Sequence, residues 1–114
     1  MITLYGIKNC DSVKKARKWL DQQAIEYHFH DLRADDLTST MINHWVDQVG
    51  WETVLNKRGT TWRKLDSNVQ QNVHQGNIVD LLLSNPTLIK RPVLDANGII
   101  TIGFNAERYQ TIFN

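Results

Sequence analysis

The residue with the most evident chemistry is Cys10, the only cysteine in the 114-residue chain, within the run Lys8-Asn9-Cys10-Asp11-Ser12. A thiolate, not a thiol, attacks electrophilic sulfur, so a working cysteine needs surroundings that lower its pKa from about 8.5. The free N–H groups and positive dipole of a helix N-terminus provide them, and Lys8 could add charge. Local sequence leaves two interpretations open, a reactive thiol or a small buried hydrophobic residue.

Two arginines and a proline add chemistry elsewhere in the chain. Arg58 lies in a polar loop that continues into Gly-Thr-Thr, and Arg91 directly precedes Pro92. The arginine fork suits a carboxylate or an oxyanion. A proline at the start of a strand cannot donate to the sheet, which leaves a gap that a ligand backbone can fill. Taken singly, each arginine is also typical of a solvated loop, and the sequence alone does not bring either to Cys10.

The elements around Cys10 must position it. Ile2 to Tyr5 is predicted to form a strand that ends at Gly6, and a helix is predicted to start at or beside Cys10. A second strand is predicted at about Glu26 to Asp31. In such a β-α-β unit the strands run parallel, which puts the cysteine loop at the carboxyl end of the first strand. Open α/β sheets bind ligands at that edge.

The rest of the chain predicts a helical middle followed by a β-β-α unit. The Asn-Gly pair between two apolar runs indicates a hairpin. We therefore predict an α/β fold in a single domain, residues 1–114, with a helical insertion at about 38–85. The predicted pieces are a helix at Thr38–Val49, a loop at Asn56–Thr61, short helices at Trp62–Leu65 and Asn68–Val73, a helix at Ile78–Ser84, hairpin runs at Leu88–Leu94 and Ile99–Ile102, and a last helix at Asn105–Phe113.

Composition narrows the class of protein. The net charge of +1 gives no basic field for nucleic acid or anionic lipid. A lone cysteine predicts a reducing compartment, and no apolar run approaches bilayer length, so we expect a cytoplasmic, monomeric protein without membrane or nucleic-acid partners. His28 and His30 alternate onto one strand face, but without further ligands at matching spacing we expect no metal.

Four stretches of the sequence carry a resemblance to a known family: Ile2–Asp11, Lys14–Arg17, Asn56–Trp62 and Lys90–Val93. Together they make the chain resemble the ArsC-like family, which includes glutaredoxin-linked arsenate reductases, Spx regulators and the YffB group. The resemblance covers essentially the whole chain, and the match to the YffB group is closest.

The resemblance implies a thioredoxin-like sheet in which Pro92 is a cis-proline facing the cysteine turn. It also implies that Cys10 is the nucleophile and that Arg58 and Arg91 lie near it and bind the oxyanion or the thiol cosubstrate. Two departures narrow the function. Phe104 stands where the family's arsenate reductases carry a further arginine. Val13 stands where oxidant-sensing Spx proteins usually carry a second cysteine, so a dithiol switch is excluded.

The leading expectation is a glutathione-dependent thiol–disulfide reductase that uses one cysteine and an external resolving thiol. Its partners would be glutathione or glutaredoxin and a small-molecule or protein disulfide, with no tightly bound cofactor. Two alternatives stay open: arsenate reduction linked to glutathione or glutaredoxin, and an Spx-like regulator that binds RNA polymerase. The predicted site consists of the catalytic Cys10 and the binding residues Lys8, Asn9, Arg58, Arg91 and Pro92.

Overall fold

The computed structural model describes residues 1–114. In chain order its elements are β1 (Ile2–Gly6), α1 (Asp11–Gln22), β2 (His28–Asp31), α2 (Ser39–Val49), α3 (Trp51–Val54), α4 (Thr60–Lys64), α5 (Ser67–Gln71), α6 (Ile78–Ser84), β3 (Val93–Ala96), β4 (Ile99–Ile102) and α7 (Ala106–Phe113). They form two compact units: Met1–Asp35 with Arg91–Asn114, and Asp36–Lys90. The one-domain organisation stays a prediction. None of the helices is both long and apolar enough to cross a bilayer.

The first unit is built on a four-stranded mixed sheet in the order β2-β1-β3-β4. β1 and β2 are parallel and are joined through α1, whereas β3 is antiparallel to both β1 and β4. This confirms the predicted α/β class and the thioredoxin-like arrangement that the resemblance implied. β2 begins at His28 rather than at Glu26, because pairing starts where His28 meets Thr3, the second residue of β1.

One core cluster of this unit lies on the sheet face that carries Leu4 and Leu94. Leu4 and Leu94 pair directly across β1 and β3, and both are fully buried. Ala16 and Leu20, four residues apart on α1, meet them from one helix, and Tyr109 of α7 meets them from another. Burying a large aliphatic side chain stabilises a fold by about 1.5–3 kcal/mol, so these contacts hold α1 firmly against β1.

The β3–β4 hairpin turns as the sequence predicts. Asn97 and Gly98 both have positive φ, 56° and 92°, as a two-residue turn of the I′ type requires. The Gly98 N–H also donates to Asp95 Oδ1 at 2.7 Å. β3 itself starts at Val93 and not at Leu88, which lies in a 3₁₀ turn that follows the helix-closing Asn85.

The second unit is helical, as predicted. Thr38 caps α2 by accepting from the Met41 N–H at 3.2 Å, and Gly50 ends this helix at φ 87°. α6 has the predicted bounds, Ile78–Ser84. Two details differ from the prediction. The sequence analysis does not predict α3, because its four residues are too few to show a helical period, and α4 begins at Thr60, inside the predicted loop.

Candidate functional site

Cys10 is the N-cap residue of α1, at the carboxyl end of β1. Its N–H donates to the Ile7 carbonyl at 3.2 Å, and its own carbonyl accepts from the Lys14 N–H at 2.9 Å. Its backbone is extended and its side chain is half-buried. This placement confirms the predicted helix start and leaves the thiol accessible at the sheet edge where ligands bind in open α/β folds.

Gly6 permits the close approach of β1 and the first turn of α1. A Cβ at this position would lie 2.7 Å from Cγ2 of Val13, which is too short for a real contact. Only glycine therefore lets Val13 pack directly on the strand end. The sequence analysis identifies Gly6 only as the end of a strand and misses this packing role. The position of Gly6 between an apolar strand and the start of a helix is the signal that could have indicated it.

Opposing effects set the pKa of Cys10. Burial is the largest and raises it, because an apolar environment disfavours the thiolate. The Val13 N–H, the hydrogen bond and the charge of Arg91, and the Ser12 N–H all lower it. Together the lowering effects prevail, and the pKa of the thiol lies below its usual value. The turn therefore favours the nucleophilic form of the sulfur.

Arg91 reaches the sulfur because of the strand pairing. Tyr5, near the carboxyl end of β1, pairs with Val93 at the start of β3, so the two residues before Val93 stand beside the cysteine turn. Pro92 is buried, its carbonyl accepts from the Gly103 N–H at 2.8 Å, and the Arg91–Pro92 peptide bond is cis, as the resemblance implied. The structure thus brings Arg91 and Cys10 together.

The remaining predicted residues are exposed. Lys8 and Asn9 lie in the turn before Cys10, and the charge of Lys8 is not among the causes of the cysteine's pKa shift. Arg58 belongs to the second unit, where its N–H donates to Asn56 Oδ1 at 3.0 Å. Beside it, Lys57 Nζ lies 5.4 Å from the centre of the Trp62 ring. The binding roles of Lys8, Asn9 and Arg58 stay predictions.

Comparison with known proteins places these residues in a family context. The sequence model of the ArsC family matches residues 5–112. An uncharacterized protein of Haemophilus influenzae is 48% identical over 113 residues, which are 99% of each chain. The global transcriptional regulator Spx of Streptococcus pyogenes is 28% identical over 119 aligned positions, covering 100% of this chain and 86% of that protein. A solved structure named YFFB protein superimposes with a TM-score of 0.93 at 41% identity, covering 97% of both chains.

Proposed function

The chain belongs to the ArsC family, a thiol-reductase-like family, and on that premise we propose that it is a glutathione-dependent thiol–disulfide reductase. The observation that carries the proposal is the position of Cys10, the N-cap of α1, within hydrogen-bonding reach of Arg91. Burial raises the pKa of the thiol there, but the Val13 N–H, Arg91 and the Ser12 N–H together lower it by more. A free thiol with a pKa of about 8.5 is only a few per cent thiolate at pH 7. Each unit by which the pKa falls toward 7 raises that fraction by up to about tenfold.

The reaction needs one cysteine, whose sulfur takes part in two successive exchanges. The Cys10 thiolate attacks one sulfur of a disulfide, a new S–S bond forms to Sγ, and the substrate's S–S bond breaks. The other substrate sulfur leaves as a thiolate and takes a proton from water. A glutathione thiolate then attacks the mixed disulfide, which regenerates the Cys10 thiolate and carries the bound sulfur away as a glutathione disulfide. A second glutathione then exchanges with this released mixed disulfide, which releases the remaining substrate sulfur as a thiol and forms oxidised glutathione, so no second cysteine is required.

The binding residues follow from the charges of glutathione. Arg91 lies against the sulfur and would hold the anionic leaving group or a glutathione carboxylate, because a guanidinium binds carboxylates in a fixed fork geometry. Pro92, directly before β3, is proposed to orient the ligand's peptide backbone beside the cysteine turn. Lys8 and Asn9 are proposed to supply further contacts to the same ligand, and Arg58 is proposed, from the family resemblance, to bind an oxyanion or a thiol cosubstrate.

The direct test is mixed-disulfide formation with oxidised glutathione, followed by mass spectrometry of the intact chain. Because Cys10 is the only thiol, one glutathione adduct per chain is expected. Cys10→Ser should give none, and dithiothreitol should remove the adduct. A thiol that titrates at the free value of about 8.5, or no adduct on the wild-type chain, contradicts the proposal. Adding arsenate, glutathione and glutaredoxin to the same preparation tests the arsenate-reductase alternative.

Similarity to Spx across the whole chain favours a second candidate function, binding to RNA polymerase. This candidate predicts that purified bacterial polymerase retains the protein on a column and that Cys10→Ser is retained equally well. A reductase makes the opposite prediction for the variant, because its activity ends with the loss of the sulfur. Measuring both properties on the same two proteins separates the candidates.

A further inference from the structure

The outward face of α1 carries three exposed lysines directly after the nucleophile. Lys14, Lys15 and Lys18 are exposed, and none of them is paired with a carboxylate. The acidic residues of this helix stand near its two ends, at Asp11 and Asp21. The middle of the exposed face is therefore a cationic strip within a protein whose net charge is only +1.

Arg17, on the same helix, differs from the lysines because its charged group contacts other side chains of the protein. Its Nε donates to the Tyr27 hydroxyl at 3.2 Å, and its guanidinium carbon lies 4.1 Å from the centre of the Phe29 ring. Arg17 is therefore half-buried against β2. The lysines have no such partners, so their charge is directed to solvent.

Helix stability does not explain the lysine positions. A helix is stabilised by cations in its last turn, and the last turn of α1 has none. Lys14 and Lys18 are four residues apart, a spacing at which like charges destabilise an isolated helix. Asp11 lies three residues before Lys14 and Asp21 three residues after Lys18, but neither lysine is paired with a carboxylate. The positive charge of the strip is therefore available to a partner of the opposite charge.

The spacing of the two lysines from Cys10 indicates what kind of partner fits. Lys14 and Lys18 share one face of α1, and the N-cap Cys10 lies one turn before Lys14, whose N–H donates to the Cys10 carbonyl. The three positions follow one another at intervals of about 6 Å along the axis. An extended peptide advances about 3.3 Å per residue, so every second side chain matches this spacing. Resting on the proposed reductase function, we propose that the protein takes disulfide substrates in which acidic residues stand two and four positions from the reacting cysteine, paired with Lys14 and Lys18.

The test uses five-residue peptides whose cysteine is a mixed disulfide with thionitrobenzoate. Cys10 attacks the peptide sulfur, the new S–S bond joins the two chains, and thionitrobenzoate leaves as a coloured thiolate. The in-phase peptides are Cys-Ala-Glu-Ala-Glu and its reverse, because the chain direction on the helix is free. The neutral peptide has Gln at both Glu positions. The out-of-phase peptide, Cys-Glu-Ala-Glu-Ala, has the same charge on the opposite side of an extended chain.

At low salt we expect one of the in-phase peptides to react about threefold to tenfold faster than both the neutral and the out-of-phase peptide. The advantage should shrink toward unity at about 0.5 M salt, because exposed charges are screened. Lys14→Gln/Lys18→Gln should abolish it. The matched control Arg33→Gln/Arg108→Gln removes the same charge from exposed positions of the same unit and should keep it.

Equal rates for the in-phase and out-of-phase peptides overturn the inference, as does an advantage that survives Lys14→Gln/Lys18→Gln. Neither result touches the reductase proposal, because the neutral peptide reports on Cys10 alone. If even the neutral peptide reacts no faster with the wild-type protein than with Cys10→Ser, the proposed function fails instead. The two failures are therefore distinguishable in one set of rates.

Discussion

Two regions of the molecule are built differently: the Cys10 turn, where the sequence predicts a nucleophile, and the Arg58 loop, where it predicts a ligand-binding arginine. The Cys10 turn, residues 6–13, lies between a buried strand and a packed helix, and Arg91 bonds to its sulfur. The Arg58 loop, residues 56–61, is held at its two ends by hydrogen bonds, from the Asn56 N–H to the Leu88 carbonyl and between the Thr61 and Thr87 hydroxyls. Between these ends the Arg58 N–H donates to Asn56 Oδ1 in an exposed local turn. Arg58 itself is exposed, whereas Arg91 is half-buried.

The two arginines therefore control different properties. An arginine bonded to the sulfur acts on the thiol itself, because its charge stabilises the thiolate in a partly desolvated place. An exposed arginine is screened by water and acts mainly on a ligand that reaches it. Substitutions in the Cys10 turn should therefore change the titration of the thiol, and substitutions in the Arg58 loop should change only binding.

The largest effect is expected for Arg91→Ala. The hydrogen bond and the charge of Arg91 both lower the pKa of Cys10, so their loss should raise it. The exchange rate with a neutral disulfide near pH 7 should fall by up to about tenfold for each unit of that rise. The thiolate's ultraviolet absorbance, followed against pH, gives the midpoint directly. Arg108→Ala is the control. An unchanged thiolate midpoint in Arg91→Ala would contradict the role of Arg91 in lowering the pKa of Cys10.

The lowered pKa of Cys10 also predicts that the stability of the fold depends on pH. Because the pKa of Cys10 is lower in the folded than in the unfolded chain, folding is favoured where the sulfur is a thiolate. The free energy of unfolding should therefore rise with pH from the lowered pKa up to about 8.5, and this contribution is lost as the pH falls through the lowered pKa. Arg91→Ala should flatten that rise in urea titrations, and Cys10→Ser should remove it.

A third prediction compares one glycine from each region. Gly6→Ala puts a Cβ 2.7 Å from Val13 Cγ2, a branched side chain in the core, whereas Gly59→Ala meets only the Asn56 side-chain amide, at 3.2 Å. We expect Gly6→Ala to lower the free energy of unfolding by about 1–3 kcal/mol and Gly59→Ala by less than about 1 kcal/mol. Gly6→Ala should also raise the thiol pKa by displacing the Val13 N–H. Val13→Ala in the Gly6→Ala background should recover part of the packing loss, which thermal denaturation can measure.

Sequence reasoning was accurate wherever one local signal decided the structure. The Asn97-Gly98 turn and the Ile78–Ser84 helix follow from backbone preference and periodicity alone. The bond from Arg91 to the sulfur depends on the register Tyr5↔Val93, which joins positions far apart in the chain and has no local signature. The family resemblance supplied that link, whereas the close packing of Gly6 on Val13 became visible only in the structure.

A smaller effect is expected for Arg58→Ala, which tests the other side of the comparison. Its guanidinium is not among the causes that shift the pKa of Cys10, so the thiolate midpoint should stay at the wild-type value. If Arg58 binds a glutathione carboxylate, the KM for glutathione should rise by about threefold to tenfold while kcat is kept, as expected for a lost charged contact. Arg63→Ala, on the neighbouring exposed turn, is the matched control. A shifted thiolate midpoint in Arg58→Ala would show that the two regions do not divide their roles.

The smallest effect is expected for Asn56→Ala. The Asn56 side chain accepts the Arg58 N–H at 3.0 Å, a local turn contact that competes with water. Its loss should lower the free energy of unfolding by about 0.5–1.5 kcal/mol. Because the loop then holds Arg58 less firmly, the KM for glutathione should move in the same direction as in Arg58→Ala, and the double variant should be no worse than Arg58→Ala alone. Additive KM effects would mean that Asn56 contacts the ligand itself instead of positioning Arg58.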